Sequence, residues 1–244
     1  MNSLDEDQSL VAFSIIIAGI LIAGSIIYSS GAGIATSEGS VENAVVPSPA
    51  GKPAPTGGVT STLLTTVQPG EAVLGDPKAP LLFVEYGDYQ CPFAGRFFTQ
   101  LQPELIKNYV QTGKVRFVYR NYPFIGPESY LTSQATKCAG DQNKFWEYHD
   151  ALFRAEIKDA KENNGNIQRD FLIQVAQDAK LSAKTFATCF DSKKYEAESR
   201  QDLDKAKSVG VEGTPTSFVN GEKFPGGAVP FEQYSAFLDK MLAQ

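Results

Sequence analysis

Apolar positions along this chain fall into blocks whose spacing changes from one segment to the next. Residues 10–28 (LVAFSIIIAGILIAGSIIY) form an unbroken apolar run without a charged side chain. That run is close to the roughly 20 residues a helix needs to cross a bilayer. Residues 81–86 (LLFVEY) are a short apolar run suited to a central strand buried on both faces. From 93 to about 110 the period lengthens, with Phe97, Leu101, Leu105 and Tyr109 on one helical face. Pro103 inside this stretch predicts a kink or a break, and Thr112-Gly113 predicts its end. Residues 114–119 (KVRFVY) read as a second strand, and the short return predicts a parallel crossover.

The second half is mostly helical. Residues 128 to about 154 predict one long helix, or two divided at Gly140, anchored by Phe145, Trp146, Tyr148, Leu152 and Phe153. This aromatic set reads as core packing. A polar stretch, 158–166, precedes a helix over 167 to about 179, and a further helix is predicted over about 193–208. Residues 211–219 read as a turn entering a strand. Asn220-Gly221 is a hairpin signal, with the partner strand beginning at Lys223-Phe224. Residues 230–242 close the chain as a helix with Pro230 near its first position.

The apolar run at 10–28 follows Asp5, Glu6 and Asp7 instead of a basic segment, and no A-x-A site follows at once. Both features favour a retained anchor over a cleaved signal peptide. The expected organisation is a short acidic head at 1–9, a single transmembrane helix at 10–28 and a disordered linker at 29–66. An α/β domain follows at 67–244, with a helical insert at about 126–208. The linker is expected because its Gly, Ala, Ser, Pro and Thr offer few large side chains to bury. The net charge is −6, with no Lys/Arg cluster to track phosphates, which argues against nucleic acid.

Three cysteines, Cys91, Cys138 and Cys189, are too few for a disulfide-stapled mini-domain, and the paired spacing of a zinc site is absent. A lone histidine, His149, argues against a histidine metal centre and is expected to pack or cap. Neither metal nor cofactor is expected. Cys91-Pro92 falls where strand gives way to helix. A thiol there faces unpaired helix N–H groups and the positive dipole end, which favour the nucleophilic thiolate.

The order strand, helix, strand, helical insert, strand, hairpin strand, helix resembles the DsbA-like branch of the thioredoxin superfamily. The resemblance covers about residue 73 to the C-terminus. It is carried by Leu74-Gly75-Asp76-Pro77, by Tyr86-Gly87-Asp88-Tyr89-Gln90-Cys91-Pro92-Phe93, by Phe145-Trp146-Glu147-Tyr148-His149-Asp150 and by Gly213-Thr214-Pro215. It implies a thioredoxin fold with a helical insertion and a nucleophile at Cys91. It also implies a cis Pro215 packed beside that thiol, where Pro92, Phe93, Thr214 and Pro215 hold an extended substrate strand. Glu85, an acid in the apolar strand, would help move the thiol proton. Cys138 and Cys189 would pair in the insert, as in some similar relatives.

One departure changes the expected chemistry. The family's Cys-x-x-Cys is Cys91-Pro92-Phe93-Ala94 here, and Ala94 cannot resolve a mixed disulfide. The expectation is therefore single-thiol exchange on cysteine-containing polypeptides outside the cytoplasm, served by a redox partner or small thiol, with the domain held at the cell membrane. The rival reading is a peptide-binding or chaperone module without turnover. No sequence feature selects a glutathione-dependent peroxidase or reductase.

Overall fold

The computed structural model describes residues 59–159 and 161–244, with side chains from residue 62 onward. The expected head and anchor at 1–28 and most of the expected linker lie outside the described residues. Among the described residues, no helix is long and apolar enough to cross a membrane. The expected linker ends earlier than its composition suggests, because Val59–Thr65 forms a helix, α1. Leu64 is the reason: it is buried in a cluster with Leu82, Val84 and Val211.

The apolar run becomes β1 (Leu81–Gly87), buried at every position. β2 (Val115–Asn121) pairs with it in parallel from Leu81↔Val115 to Gly87↔Asn121. Arg120 and Asn121 thus belong to the strand instead of following it. β3 (Thr216–Val219) lies antiparallel on the other edge of β1, with Glu85 opposite Ser217. The two-residue β4 (Glu222–Lys223) closes the order β2-β1-β3-β4. Asn220 and Gly221 between β3 and β4 have φ of 47° and 91°, the left-handed pair that a two-residue hairpin requires.

The helix after β1 starts as α2 (Pro92–Arg96) and widens into a π-helical turn (Phe97–Leu101). It tightens as α3 (Gln102–Leu105) and widens again over Ile106–Val110. The break expected at Pro103 is thus taken up by wider hydrogen bonding on either side, because a proline nitrogen cannot donate to the preceding turn. Phe97, Leu101, Leu105 and Tyr109 pack against Phe83, Phe117, Tyr234 and Leu238. The last two come from the closing helix, and Pro230 is its N-cap.

Among the described residues, five helices lie between β2 and β3: α4 (Pro127–Gly140), α5 (Phe145–Glu156), α6 (Arg169–Asp178), α7 (Ala183–Asp191) and α8 (Glu196–Ser208). The chain ends with α9 (Phe231–Leu242). Cys189 is inside α7, whereas the helices expected over 167–179 and 193–208 leave it between them. Ser182 starts that helix by accepting the Thr185 amide. Cys138 on α4 and Cys189 on α7 form a disulfide spanning 51 residues. Closing a loop of that length removes unfolded-state entropy worth about 4 kcal/mol. The double variant Cys138→Ala/Cys189→Ala should therefore lose about that much unfolding free energy in urea titrations.

Candidate active site

β1 runs out at Gly87, and Asp88-Tyr89-Gln90-Cys91 turns the chain into α2. Cys91 caps that helix with extended backbone (φ −75°, ψ 120°) and Pro92 follows at the first turn. The Cys91 amide donates to Asp88 O at 3.0 Å, and Cys91 O accepts the Gly95 amide at 2.9 Å. The sulfur does not cap the helix, contrary to the expectation that it faces the free amides. Instead Sγ donates to the carbonyl of Thr214 at 3.3 Å, across the cis Thr214–Pro215 bond. The structure thus brings Cys91, Thr214 and Pro215 together. Cys91 is 6% exposed and is the chain's one free cysteine.

Asp88 fixes the turn. Its Oδ1 accepts the Gln90 amide at 3.1 Å and the Ser129 hydroxyl at 2.8 Å, while Oδ2 accepts the amides of Phe124 and Ile125 at 3.1 and 3.3 Å. Burial pushes this carboxyl up to about 6, against the opposing pull of those donors. Gln90 extends the clamp: Nε2 donates to Ser129 Oγ at 2.7 Å and Oε1 accepts the Asn163 amide at 2.6 Å. The nucleophile's loop is thereby tied to the helical insert. Asp88→Ala strands the amides of Gln90 and Ile125 and the Ser129 hydroxyl, while the Phe124 amide keeps the Tyr122 carbonyl at 2.9 Å. It should cost about 3 kcal/mol in urea denaturation.

Behind the loop lies an aromatic layer. Tyr89 Oη hydrogen-bonds His149 Nδ1 at 2.8 Å, and His149 Nε2 meets Gln102 Oε1 at 3.3 Å. Phe98 and Phe153 stack at 5.0 Å and flank the imidazole. Burial, aided by Arg154, lowers His149 to about 3, so the ring is neutral and packs as expected. The unfolded chain binds that proton near pH 6.5, whereas the folded chain binds it only near 3. This stability contribution is complete above pH 6.5 and is lost as pH falls towards 3. The raised carboxyls of Asp88 and Glu156 act in the opposite sense. His149→Gln keeps the carboxyl contributions and lacks the histidine one. On going from pH 7.5 to pH 5, the urea midpoint of the variant should therefore shift towards higher urea relative to that of the wild type.

Glu85 lies within β1 and is 1% exposed. Burial raises its carboxyl well above the usual range. It pairs in register with Tyr119 on β2. Among the described residues, Glu85 Oε2, Tyr119 Oη and Thr214 Oγ1 are buried without a hydrogen-bond partner. Phe93, placed beside the thiol by sequence, is 56% exposed, with the Arg96 guanidinium 5.3 Å from its ring centre. Among the described residues, Phe124 and Ile157 are the other exposed large apolar side chains.

Two openings adjoin Cys91. One is a shallow groove along 213–216 and 223–227, on the Pro215 side. The other is a cleft of about 220 Å³ bordered by Cys91, Pro92, Gly95, Arg96, Glu156 and Ile157. A Cβ at Gly95 would fall 2.8 Å from Cγ2 of Ile157, the residue that ends α5, so any side chain there would make Ile157 shift. Glu156 is pushed up to about 7, first by burial and then by Glu128, Asp159 and Asp88, while Asn166 pulls the other way. Sequence reasoning missed Asp88, the Thr214 carbonyl and Glu156. Asp88 had a signal, an acid in the turn just before the cysteine. Glu156 had none, because its place depends on how α5 packs beside α2.

Comparisons with known proteins agree with this geometry. A family model described as Thioredoxin matches residues 67–240. The probable disulfide bond formation protein D of Bacillus anthracis is 32% identical over 152 residues, covering 61% of this chain and 69% of that protein. The crystal structure of oxidised BdbD from Bacillus subtilis superposes with a TM-score of 0.66 at 25% identity, covering 72% of this chain and 94% of that one. Wolbachia pipientis alpha-DsbA1 gives the same TM-score at 23% identity, over 75% and 96% of the two chains, and shares the fold. The chain belongs to the thioredoxin family, in its DsbA-like thiol–disulfide oxidoreductase branch.

Proposed function

We propose that this protein carries out thiol–disulfide exchange on cysteine-containing polypeptides through Cys91 alone, outside the cytoplasm, held at the membrane by residues 10–28. The observation that carries the single-thiol reading is the state of the three cysteines: Cys138 and Cys189 are bonded to each other, and Cys91 alone is free beside the Thr214 carbonyl. Ala94, one helical turn on, is fully buried and has no sulfur to offer. Cys91 thiolate would attack a substrate disulfide, forming a mixed disulfide and releasing the second substrate sulfur as thiolate. Glu85, buried on the central strand, would exchange the thiol proton. The Thr214–Pro215 loop and Phe93 would hold the extended polypeptide. The apolar, uncharged run at 10–28 supports the anchor, and the Pro- and Gly-rich segment after it supports a spacer.

The reading is tested by incubating the full chain with an excess of an oxidised peptide and measuring intact mass. A one-to-one adduct is expected at Cys91, persisting until a thiol is added. If no adduct forms although the peptide binds, the domain is a peptide-binding module without exchange chemistry.

A further inference from the structure

Resolving a Cys91 mixed disulfide needs a sulfur that this chain does not hold in reach. Ala94 occupies the place one turn along α2, and Cys138–Cys189 is closed. The cleft on the α2–α5 side of Cys91 has features suited to an incoming molecule. Arg96, exposed on its border, makes no ion pair or side-chain hydrogen bond among the described residues; its one partner is the face of Phe93. Glu156 borders the same cleft and is 3% exposed. Its Oε1 accepts from Asn166, whereas its Oε2 takes no hydrogen bond among the described residues. A cation without an ion pair and a buried acceptor thus border the cleft that Cys91 lines. At about 220 Å³ it admits an amino-acid or short-peptide thiol and excludes a folded chain. It shares no bordering residue with the groove at 213–216 and 223–227, so a polypeptide in that groove leaves it open.

We propose that this cleft binds a small thiol bearing a free carboxylate, and that this thiol resolves the Cys91 mixed disulfide. The inference rests on the single-thiol reading above. Arg96 would pair with the carboxylate, and Glu156 would accept from a nitrogen of the same molecule. The small thiolate attacks Cys91 Sγ. A bond forms between the two sulfurs, the bond to the substrate breaks, and its electron pair leaves on the substrate sulfur. A second small thiolate then attacks the small-thiol sulfur of the new mixed disulfide and releases Cys91 as thiolate. The sum is one substrate disulfide and two small thiolates giving two substrate thiolates and one small-molecule disulfide, so the substrate is reduced.

The test uses the full chain with Cys91 loaded with a fluorescent peptide through a disulfide. Release rates are measured with L-cysteine, cysteine methyl ester and 2-mercaptoethanol, each expressed per thiolate and divided by the rate of the same thiol on the same peptide joined to free cysteine, which removes the intrinsic fall of nucleophilicity with thiol pKa. L-cysteine should give a saturating curve and act about tenfold faster than the ester, the effect of one charge-assisted contact. Arg96→Gln should reduce that advantage below about twofold, and Arg96→Lys should keep most of it, since lysine still offers a positive charge. Equal per-thiolate rates for acid and ester, rising linearly without saturation, would remove the cleft as a binding site and leave the proposed function standing. If Cys91 cannot be loaded by the peptide disulfide at all, both readings fall together.

Discussion

Cys91→Ser should reduce catalysed exchange on a peptide disulfide to the uncatalysed background while leaving peptide binding in place. The chemical half of this expectation follows from sulfur. Thiolate is the nucleophile of disulfide exchange, and a serine hydroxyl is not ionised near neutral pH and forms no bond of that kind. The binding half follows from geometry. The groove residues at 213–216 and 223–227 keep their places, and a serine Oγ can donate to the Thr214 carbonyl as Sγ does at 3.3 Å. The replacement is close to isosteric at a 6% exposed site, so loss of fold is not expected to confuse the result. Exchange kinetics and fluorescence-monitored peptide binding on the same preparation check both halves. Residual catalysis in Cys91→Ser would place the reactive group elsewhere.

Ala94→Cys should convert a long-lived mixed disulfide into a transient one, shortening its life by about a thousandfold or more. Position 94 is three residues after Cys91 on α2, so the two side chains share a helix face. A thiol there attacks the Cys91 sulfur intramolecularly, with an effective concentration far above that of a millimolar external thiol. The product is an internal disulfide between Cys91 and the thiol introduced at position 94, with the substrate thiol released. The variant thereby gains the capacity to hold and pass on a disulfide. Ala94 is fully buried, so the new sulfur must fit a packed site, but it adds only one heavy atom. Quenched-flow trapping of the adduct, followed by non-reducing mass analysis, measures the lifetime. An adduct as stable as in the parent would mean that position 94 cannot reach the sulfur.

Much of the fold was legible because its signals are local. The LLFVEY run, the Asn220-Gly221 turn and Pro230 each carry their structural consequence in their own chemistry, and β1, the β3–β4 hairpin and α9 lie where those signals put them. α7 was missed. Its residues, AKTFATCFD, include threonines that weaken helical propensity, and its start depends on the Ser182 side chain accepting one amide. α1 was missed because the other buried residues of the cluster that holds Leu64, from Leu82 to Phe218, lie further along the chain. In the site, Cys91, Pro215 and Glu85 could be named from motif and pattern. The direction of Sγ could not: helix-end electrostatics favours the amides, and the cis loop at Thr214 offers a carbonyl instead. Glu156 is placed by the packing of α5 beside Gly95, where the absence of a Cβ permits the approach of Ile157. That is a tertiary fact without a sequence signature.

The central claim is that one thiol does the chemistry while the other two cysteines are held in a bond. It is tested most directly by differential alkylation and peptide mapping of the full chain isolated without reductant. The account predicts Cys138 joined to Cys189, with Cys91 either free and alkylated at once or bonded to a thiol from another molecule. Finding Cys91 bonded to Cys138 or Cys189 would contradict it, because the insert would then supply the resolving sulfur.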